Sequence, residues 1–224
     1  MINIAIDGPA GAGKSSVAKA VAKKLGFIYV DTGALYRAVG VNALKNSIKT
    51  DDKEAVTAML PSTKVELKYV DGVQRVILND EDVSEAIRMP EASMAASNVS
   101  AIPEVRAFLL DLQHDMAEKN NVIMDGRDIG TVIIPDADLK VFMTASAECR
   151  AMRRFKELTE RGQSVKYEDV LAEMNQRDGQ DSSRAIAPTK AADDAIYFDN
   201  SELDFEQTVD AIIKMEEERA GGNI

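Results

Sequence analysis

The feature that most constrains this chain of 224 residues is a glycine-rich stretch that begins at Gly8. It reads Gly-Pro-Ala-Gly-Ala-Gly-Lys-Ser and satisfies the pattern Gly-x-x-x-x-Gly-Lys-Ser in full. Apolar residues alternate over residues 2–6, which predicts a strand before it, and Val17, Val21 and Leu25 recur at helical spacing after it. This order is typical of a phosphate-binding loop (P-loop), because the N–H groups of the loop and the positive end of the helix both attract an anion.

The residue types of the loop predict how it binds a nucleoside triphosphate. Lys14 is long enough to reach the β- and γ-phosphates, and the hydroxyl of Ser15 is the natural contact for Mg²⁺. The glycines let the backbone curl so that several N–H groups converge on one phosphate. We therefore expect ATP to be bound by the loop and the start of its helix, which are Gly8, Pro9, Ala10, Gly11, Ala12, Gly13, Lys14, Ser15 and Ser16.

Further apolar runs along the chain predict the strands of a parallel sheet. Gly26 ends the first helix and residues 27–30 form the next strand, so that strand, loop, helix and strand make a βαβ unit. Three more short apolar runs end in polar residues, at 122–124, 139–143 and 195–198. We predict an α/β fold, a three-layer P-loop architecture with a five-stranded parallel sheet, whose ligands lie at the carboxyl ends of the strands.

The alternation of strands and helices is interrupted by a pattern for two antiparallel strands. Polar and apolar residues alternate over residues 64–70, an Asp-Gly turn signal follows, and a second apolar run returns at 75–78. We predict that residues 62–89 form a small inserted domain, an antiparallel β-hairpin, within a core made of residues 1–61 and 90–224. The last four residues of that core are expected to form a frayed tail.

Charge is unevenly distributed along this chain. The net charge is −11, and because a strongly acidic surface repels a nucleic-acid backbone, we expect no nucleic-acid partner. Residues 150–166 nevertheless carry six basic side chains against two glutamates, which is either a solvated helix face or a site for a small, highly charged anion. Arginines that close over a transferring phosphoryl group stabilise its charge and exclude water. We therefore predict a helical lid over about residues 150–186, with Arg153 among its catalytic side chains.

Composition excludes several classes of protein. One cysteine, Cys149, rules out an intramolecular disulfide, and one histidine, His114, rules out a multi-histidine metal site. No apolar run approaches the roughly 20 residues that span a membrane, and Asp7 interrupts the apolar start that a signal peptide would need. We expect a cytoplasmic monomer with small-molecule partners and no membrane contact.

Two further patterns favour a small-molecule kinase over a GTPase. The guanine-reading element Asn/Thr-Lys-x-Asp is matched only out of register, at residues 189–193, and no strand end carries the Asp-x-x-Gly of a γ-phosphate switch. A kinase needs a second anion site, and the segment after the second strand offers Thr32 and Arg37, the latter as a bidentate clamp. The same segment is equally a good helix start, and Arg37 equally suits a surface position.

Four segments together resemble the bacterial cytidylate kinases. They are the glycine loop at residues 8–15, Asp-Thr-Gly-Ala-Leu-Tyr-Arg at 31–37, Asp-Gly-Arg-Asp-Ile-Gly-Thr at 125–131, and Arg-Asp with Asp181 and Arg-Ala-Ile-Ala-Pro within 177–188. The resemblance runs over essentially the whole chain and includes the hairpin insert. It implies transfer of the ATP γ-phosphate to CMP or dCMP, in pyrimidine nucleotide supply, with Mg²⁺ as the cofactor.

The resemblance also implies roles for individual residues. The positions that the family uses to bind its monophosphate are held here by Thr32, Arg37, Ser97, Arg106, Asp128, Arg177 and Arg184, and Asp181 stands where the family contacts the sugar. We add Asp31 to this predicted substrate-binding set. The catalytic set that we predict is Lys14, Asp125, Arg127 and Arg153. Two serines stand in succession at the end of the loop, so the Mg²⁺ contact is Ser15 or Ser16. The insert matches the enlarged monophosphate-binding domain of the family.

Hydrogen-bond chemistry agrees with cytosine as the base. Cytosine offers an exocyclic amine and two acceptors, so a carboxylate and a guanidinium complement it, and we predict Asp128 and Arg106 for these roles. Uracil would present an acceptor to Asp128, a mismatch that can reject a substrate strongly. Asp125 has two interpretations, as part of the Mg²⁺ or acceptor-phosphate site or as the cap of the following turn.

Two other functions fit the P-loop. One is phosphoryl transfer to a different small acceptor, such as shikimate or dephospho-coenzyme A, against which the hairpin insert argues. The other is an ATP-driven switch or binding module, which would hold or hydrolyse ATP without any acceptor, so that Arg37 and Arg106 would be dispensable.

Overall fold

The computed structural model describes residues 1–222. Asn223 and Ile224, which belong to the predicted tail, lie outside the described residues. The chain divides into two compact units. The first unit is Met1–Tyr29 together with the chain from Asn120 onward, and the second is Val30–Lys119. Among the helices that the structure describes, none combines the length and the apolar character needed to cross a membrane.

Strands and helices follow the order that the sequence predicts. The strands are β1 (Asn3–Asp7), β2 (Ile28–Asp31), β3 (Val65–Val70), β4 (Val73–Leu78), β5 (Glu81–Asp82), β6 (Val122–Asp125), β7 (Leu139–Thr144) and β8 (Ile196–Asp199). The helices are α1 (Lys14–Leu25), α2 (Thr32–Lys45), α3 (Lys53–Met59), α4 (Pro90–Ser100), α5 (Pro103–Lys119), α6 (Ala147–Glu160), α7 (Tyr167–Ser182) and α8 (Phe205–Ala220). A π-helical turn over Ile129–Ile133, which the sequence pattern did not indicate, follows β6.

The main sheet has five strands in the order β2-β6-β1-β7-β8. Strand β1 pairs in parallel with both β6 and β7, and β7 pairs in parallel with β8. The predicted five-stranded parallel sheet is therefore confirmed. Strands β2 and β6 lie on one side of β1, and β7 and β8, which come later in the chain, lie on the other. The loop after β1 is therefore at the switch point of the strand order, where such sheets bind ligands.

The core of the first unit explains why its strands read as continuous apolar runs. All four residues of β6 are buried, as expected of a parallel strand covered on both faces. Helix α1 presents Val17 and Val21 to this core, and α8 presents Val209 and Ile212. Gly26 ends α1 with a φ of 72°, the left-handed conformation predicted from its position.

The second unit contains the predicted hairpin. Strands β3 and β4 are antiparallel, with Val65 opposite Leu78 and Val70 opposite Val73. The turn residues Asp71 and Gly72 have φ values of 52° and 74°, which is what a two-residue type I′ turn requires. The two-residue strand β5 adds a third strand that the sequence pattern did not indicate. The same compact unit also contains α2 to α5, and the boundaries of the insert at residues 62–89 stay a prediction.

Helices α2 and α4 approach each other closely in the second unit. A Cβ at Gly40 on α2 would lie 2.9 Å from the Cβ of Ala95 and 3.1 Å from its backbone carbon. Small residues on both helices therefore permit a contact that any larger pair would prevent. This packing sets the position of α2, which carries two of the predicted substrate residues.

Candidate active site

The P-loop joins the carboxyl end of β1 to the start of α1, and its shape requires its glycines. Gly8 has a φ of 141°, and a Cβ there would lie 1.9 Å from the carbonyl oxygen of Met143. Gly11 and Gly13 have φ values of 73° and 90°, in the left-handed region. A side chain at any of the three would strain the backbone or displace the neighbouring strand. The loop therefore keeps its curled form because glycine occupies these places.

Lys14 is the first residue of α1 and is only 6% exposed. Its Nζ donates a hydrogen bond to the carbonyl oxygen of Pro9 at 2.7 Å, so the side chain folds over the loop. Burial, and then the charge of Arg127, hold the pKa of Lys14 well below its usual range, although Asp125 acts in the opposite direction. A phosphate bound in the loop would place a negative charge next to the ammonium group and so favour its charged form.

The carboxylate of Asp125, the last residue of β6, lies beside the P-loop. Ser15 donates from Oγ to Asp125 Oδ2 at 2.8 Å. Tyr29 donates from its hydroxyl to Asp125 Oδ1 at 2.7 Å. Of the two interpretations that the sequence left open for Asp125, these contacts favour the one that places it in the site, since its carboxylate faces the end of the loop.

Asp7, the residue just before the loop, is 5% exposed and connects β1 to the turn after β6. Its two carboxylate oxygens accept the N–H groups of Ile129 and Gly130, each at 2.8 Å. Burial raises the pKa of Asp7 to about 6 despite these two hydrogen bonds. Asp128, one residue before the turn, adds its negative charge in the same direction. Asp7 therefore fixes the start of the π-helical turn Ile129–Ile133, directly after Asp128.

Asp181 on α7 gathers three of the predicted arginines. It is 2% exposed and accepts from Arg127 Nε at 3.1 Å. Arg184 also donates to it, and Arg177 Nε lies 3.8 Å from the same carboxylate. The charges of Arg127 and Arg177 both reach Lys14, because both lower its pKa. One buried carboxylate thus gathers three guanidinium groups, and the excess of positive charge suits a polyanionic ligand.

Arg150 on α6 and Asp178 on α7 hold the outer side of the P-loop. Arg150 donates to the carbonyl oxygen of Ala10 at 2.9 Å and pairs with Asp178 at 2.5 Å. Asp178 in turn accepts from the N–H of Ala10 at 3.3 Å. The backbone of Ala10 is therefore bound on both its N–H and its carbonyl by a single ion pair.

Arg153, one turn further along α6, binds the next part of the loop. Its guanidinium donates to the carbonyl oxygen of Ala12 at 3.3 Å and to the side chain and backbone of Asn200 at 3.1 and 2.9 Å. Asn200 itself donates to Ala12 at 3.1 Å. Two of the basic side chains in the predicted lid, Arg150 and Arg153, thus bind the backbone of the P-loop in this structure, and the catalytic role of Arg153 stays a prediction.

The segment predicted as a lid forms two helices that pack on each other. Ala151 and Leu158 of α6 form an apolar cluster with Val170 and Met174 of α7. Arg154 pairs with Glu157 at 2.9 Å, as a residue on a solvated helix face does. Gly162 follows α6 with a φ of 77°, and glycine adopts this conformation without strain.

A cavity of about 250 Å³ opens at the carboxyl end of β7 beside the loop. The residues that line it come from the P-loop, β7, α7 and the segment after α7, and are Pro9, Phe142, Thr144, Asp178, Gly179, Asp181, Ser182 and Thr189. Its position agrees with the expectation that ligands bind at the carboxyl ends of the strands.

In the second unit, Asp31 and Arg37 form the start of α2. The carboxylate of Asp31 accepts from the N–H of Ala34 at 2.9 Å, which makes it the N-cap of the helix. Arg37 pairs with the same carboxylate at 2.8 Å, and Gln74 of β4 accepts from the N–H of Asp31 at 3.0 Å. The segment is thus the helix start that one interpretation of the sequence allowed, and Arg37 is half-buried in an ion pair.

The other predicted substrate residues of the second unit are buried polar groups. Thr32 and Ser97 are each 2% exposed, and Arg106 is 8% exposed. The guanidinium of Arg106 lies 5.6 Å from the ring centroid of Tyr36 and donates to the carbonyl oxygen of Ser100 at 3.4 Å. Burial of a guanidinium costs free energy, and its contact with the ring offsets part of that cost. A buried cation is compatible with a binding role for Arg106, which stays a prediction.

The structure brings together the predicted residues of the first unit, which are the loop residues with Asp125, Arg127, Arg153, Arg177, Asp181 and Arg184. Asp128 is also in this unit, whereas Arg106 is in the second, so the predicted pair for cytosine stays a prediction. Sequence reasoning missed the roles of Tyr29, Asp7 and Asn200. Asp7 left a signal, because an acid that ends an apolar strand next to a P-loop is out of place in a core.

The fold and this site together define a class of protein, the P-loop phosphotransferases. A parallel sheet with β1 at its centre presents a glycine loop with a buried lysine and a Ser-Asp pair at its end. For the fold, a crystal structure of an uncharacterised protein from Eubacterium ventriosum aligns with a TM-score of 0.52 over 96% of this chain and 97% of that chain, at 14% identity.

Comparison of the sequence with protein families names the particular family. The family described as cytidylate kinase matches residues 4–218. A cytidylate kinase from Caldicellulosiruptor saccharolyticus is 51% identical over 214 residues, covering 96% of this chain and 95% of the relative. One from Caldanaerobacter subterraneus is 48% identical over 223 residues, covering 100% and 98%. The chain belongs to the cytidylate kinase family, and it is a nucleotide kinase.

Proposed function

We propose that this chain transfers the γ-phosphate of ATP to CMP, and to dCMP, with ADP and CDP or dCDP as the products. The observation that carries the proposal is the P-loop with its buried Lys14, within a chain that matches the cytidylate kinase family over residues 4–218. The reaction class follows from the loop, and the nucleotide acceptor follows from the family. The chemistry of the site is compatible with both.

On the donor side, the loop N–H groups and Lys14 bind the β- and γ-phosphates. Lys14 is buried and its pKa is lowered, so the bound phosphates stabilise its charged form and are held tightly in return. As charge develops on the oxygens of the transferring phosphoryl group, Lys14 and the arginines near it stabilise that charge. No general base is required, because the attacking oxygen of a monophosphate is already anionic.

The residues at the end of the loop fit Mg²⁺. Mg²⁺ prefers oxygen ligands and is usually held by one or two carboxylates with phosphate oxygens and water. Ser15 Oγ and Asp125 Oδ2 lie 2.8 Å apart beside the loop, which provides a hydroxyl and a buried carboxylate of this kind. We assign Ser15 and Asp125 to Mg²⁺ binding. When bound, the ion neutralises charge on the β- and γ-phosphates.

On the acceptor side, we assign the monophosphate to the arginines around Asp181. Arg127, Arg177 and Arg184 supply charged donors, and Asp181 orders them while it accepts from the sugar hydroxyls. From the second unit we assign Asp31, Thr32, Arg37, Ser97 and Arg106 to the same substrate. Asp128 accepts from the exocyclic amine of cytosine, and Arg106 donates to the acceptors of the base.

We also propose that Arg153 serves the transferring phosphoryl group, as one of the arginines of a lid formed by α6 and α7. Its guanidinium already binds Ala12 of the loop, so a small rearrangement brings it to a phosphate held there. The enzyme is proposed to act in the cytoplasm, because a free Cys149 suits a reducing compartment. It is also proposed to be a monomer, and light scattering tests its mass in solution.

A comparison of acceptors tests this function. ADP release is followed with ATP and Mg²⁺ while CMP, dCMP, UMP, AMP and shikimate are supplied in turn. We expect turnover on CMP and dCMP, UMP far behind, and only a slow background with the other two compounds. Turnover on shikimate alone would show that the acceptor is shikimate and not a nucleotide. ATP loss at the same rate with and without an acceptor would indicate a switch or binding module instead.

A further inference from the structure

The hydroxyl of Tyr29 makes a well-defined contact in the active site to which no role has been assigned. Tyr29 lies on β2, is 9% exposed and packs in the same apolar core as Val21 and Ile123. The Nζ of Lys19 lies 5.3 Å from the centroid of its ring, which adds a second restraint on the ring. The ring therefore has a fixed direction, and its hydroxyl donates a hydrogen bond to Asp125 Oδ1 at 2.7 Å.

The carboxylate of Asp125 is fixed from both sides by hydroxyl groups. Tyr29 holds Oδ1 at 2.7 Å and Ser15 holds Oδ2 at 2.8 Å. Rotation of this carboxylate would break at least one of the two hydrogen bonds, and burial removes the water that could replace it. The direction of the oxygen that faces Ser15 is thus set by the bond on the opposite oxygen.

We propose that Tyr29 is a positioning residue for the divalent cation: through Asp125 it orients the oxygen that receives the ion together with Ser15. The inference rests on the proposed function, in which Ser15 and Asp125 share Mg²⁺. Tyr29 itself contacts neither nucleotide nor metal. A tyrosine that only filled the core would affect stability, whereas a positioning tyrosine affects what the metal contributes to nucleotide binding.

The test uses a variant that removes one oxygen and keeps the ring. Tyr29→Phe is compared with Tyr197→Phe, the same change on β8 at a residue that is 66% exposed. Calorimetry measures the affinity for a non-hydrolysable β,γ-imido analogue of ATP, once with Mg²⁺ and once with a chelator. We expect Tyr29→Phe to reduce the gain in affinity from Mg²⁺ on the order of tenfold, as loss of a hydrogen bond to a charged group does. Affinity in the chelator and the Tyr197→Phe control should both stay within about twofold of the wild type.

A second background shows whether Tyr29 acts through Asp125. In Asp125→Asn, adding Tyr29→Phe should cause no further loss of the Mg²⁺ effect, since the group that it orients is gone. An unchanged Mg²⁺ effect in Tyr29→Phe, or a full additional loss in the Asp125→Asn background, would overturn the proposal. If Asp125→Asn alone left the Mg²⁺ effect unchanged, the metal role of Asp125 would fail and this inference with it. Failure of CMP as an acceptor, with the Mg²⁺ effect intact, would overturn the proposed function only.

Discussion

At the scale of single residues, the active site contains ionisable side chains that are buried, although their burial does not favour folding. Asp7, Lys14, Asp125 and Asp128 are each 6% exposed or less. Burial of a charge costs free energy unless hydrogen bonds and opposite charges compensate for it. Here the compensation is partial, as the raised pKa of Asp7 and the lowered pKa of Lys14 show. Such perturbed groups are typical of functional sites.

Asp7 should make the stability of the enzyme depend on pH. Its pKa rises from the ordinary 3.8 to about 6, so the folded state binds the proton more tightly than the unfolded state does. The stabilisation from the protonated form is present at low pH and is lost as the pH rises through the window from about 4 to 6. Relative to Asp7→Asn, the wild type should lose about 2 kcal/mol of unfolding free energy between pH 4.5 and 7.

Urea unfolding of both proteins at the two pH values measures this difference. Asp51→Asn makes the same change at an exposed position and serves as the control. A stability difference between wild type and Asp7→Asn that is the same at both pH values would show that Asp7 does not titrate in this window.

Asp128→Asn should change the choice of substrate more than it lowers the rate. The amide can donate to O4 of uracil, so the ratio of kcat/KM for CMP to that for UMP should fall by roughly tenfold or more, with a smaller loss of kcat on CMP. Steady-state kinetics with both substrates measures the ratio, and Asp136→Asn, an exposed acid in the same segment, is the control. Equal proportional losses on CMP and UMP would contradict the role of Asp128 in recognising the base.

At the scale of elements, glycine has opposite effects in the hairpin turn and in α7. Gly72 has a φ of 74°, whereas Gly179 lies within α7, and a Cβ at either position would meet no atom within 4 Å. Gly72→Ala therefore causes no steric clash, but alanine is strained at this positive φ, so the substitution should lower the free energy of unfolding by about 1 kcal/mol. Gly179→Ala should raise it by about 0.5–1 kcal/mol, because alanine favours the helix.

Thermal melts of the two variants check the signs of these effects. Since the chain has two compact units, the transition of each unit is followed separately where two are resolved. Two variants that shift the melting temperature in the same direction would contradict the φ-based explanation.

The elements could be predicted from the sequence where their patterns are local. The five apolar runs of the parallel sheet, the cap at Gly26 and the Asp-Gly turn each depend on a few neighbouring residues, and all three formed as expected. The two-residue strand β5 has too short a pattern to be recognised. The close contact at Gly40 depends on Ala95, which is distant in the chain, so no local pattern could indicate it.

The site was predictable as residue types but not as contacts. The P-loop specified Lys14 and Ser15, and Asp125 stood out at the end of a buried strand. That Ser15 and Tyr29 bind the two oxygens of the same carboxylate depends on residues about 100 positions away along the chain. In the same way, the sequence placed arginines on α6, but only the packing shows that Arg150 and Arg153 bind the P-loop backbone.

At the scale of the whole molecule, the charge distribution agrees with a small anionic substrate and not with a nucleic acid. The chain carries a net charge of −11, whereas the first unit concentrates a lysine and several arginines beside the P-loop. The carboxylates that face them are the buried Asp7, Asp125 and Asp181 and the half-buried Asp178. A local excess of positive charge in an acidic protein draws small polyanions to one place and repels a long phosphate backbone elsewhere.

The most direct test of the central claim is to identify the products by phosphorus NMR. The enzyme is mixed with ATP, Mg²⁺ and CMP, and the signals of all phosphate groups are followed together. We expect ATP and CMP to disappear at equal rates while ADP and CDP form in equal amounts, with no inorganic phosphate. Release of inorganic phosphate with CMP unchanged would contradict phosphoryl transfer to the nucleotide, and with it the function proposed for this site.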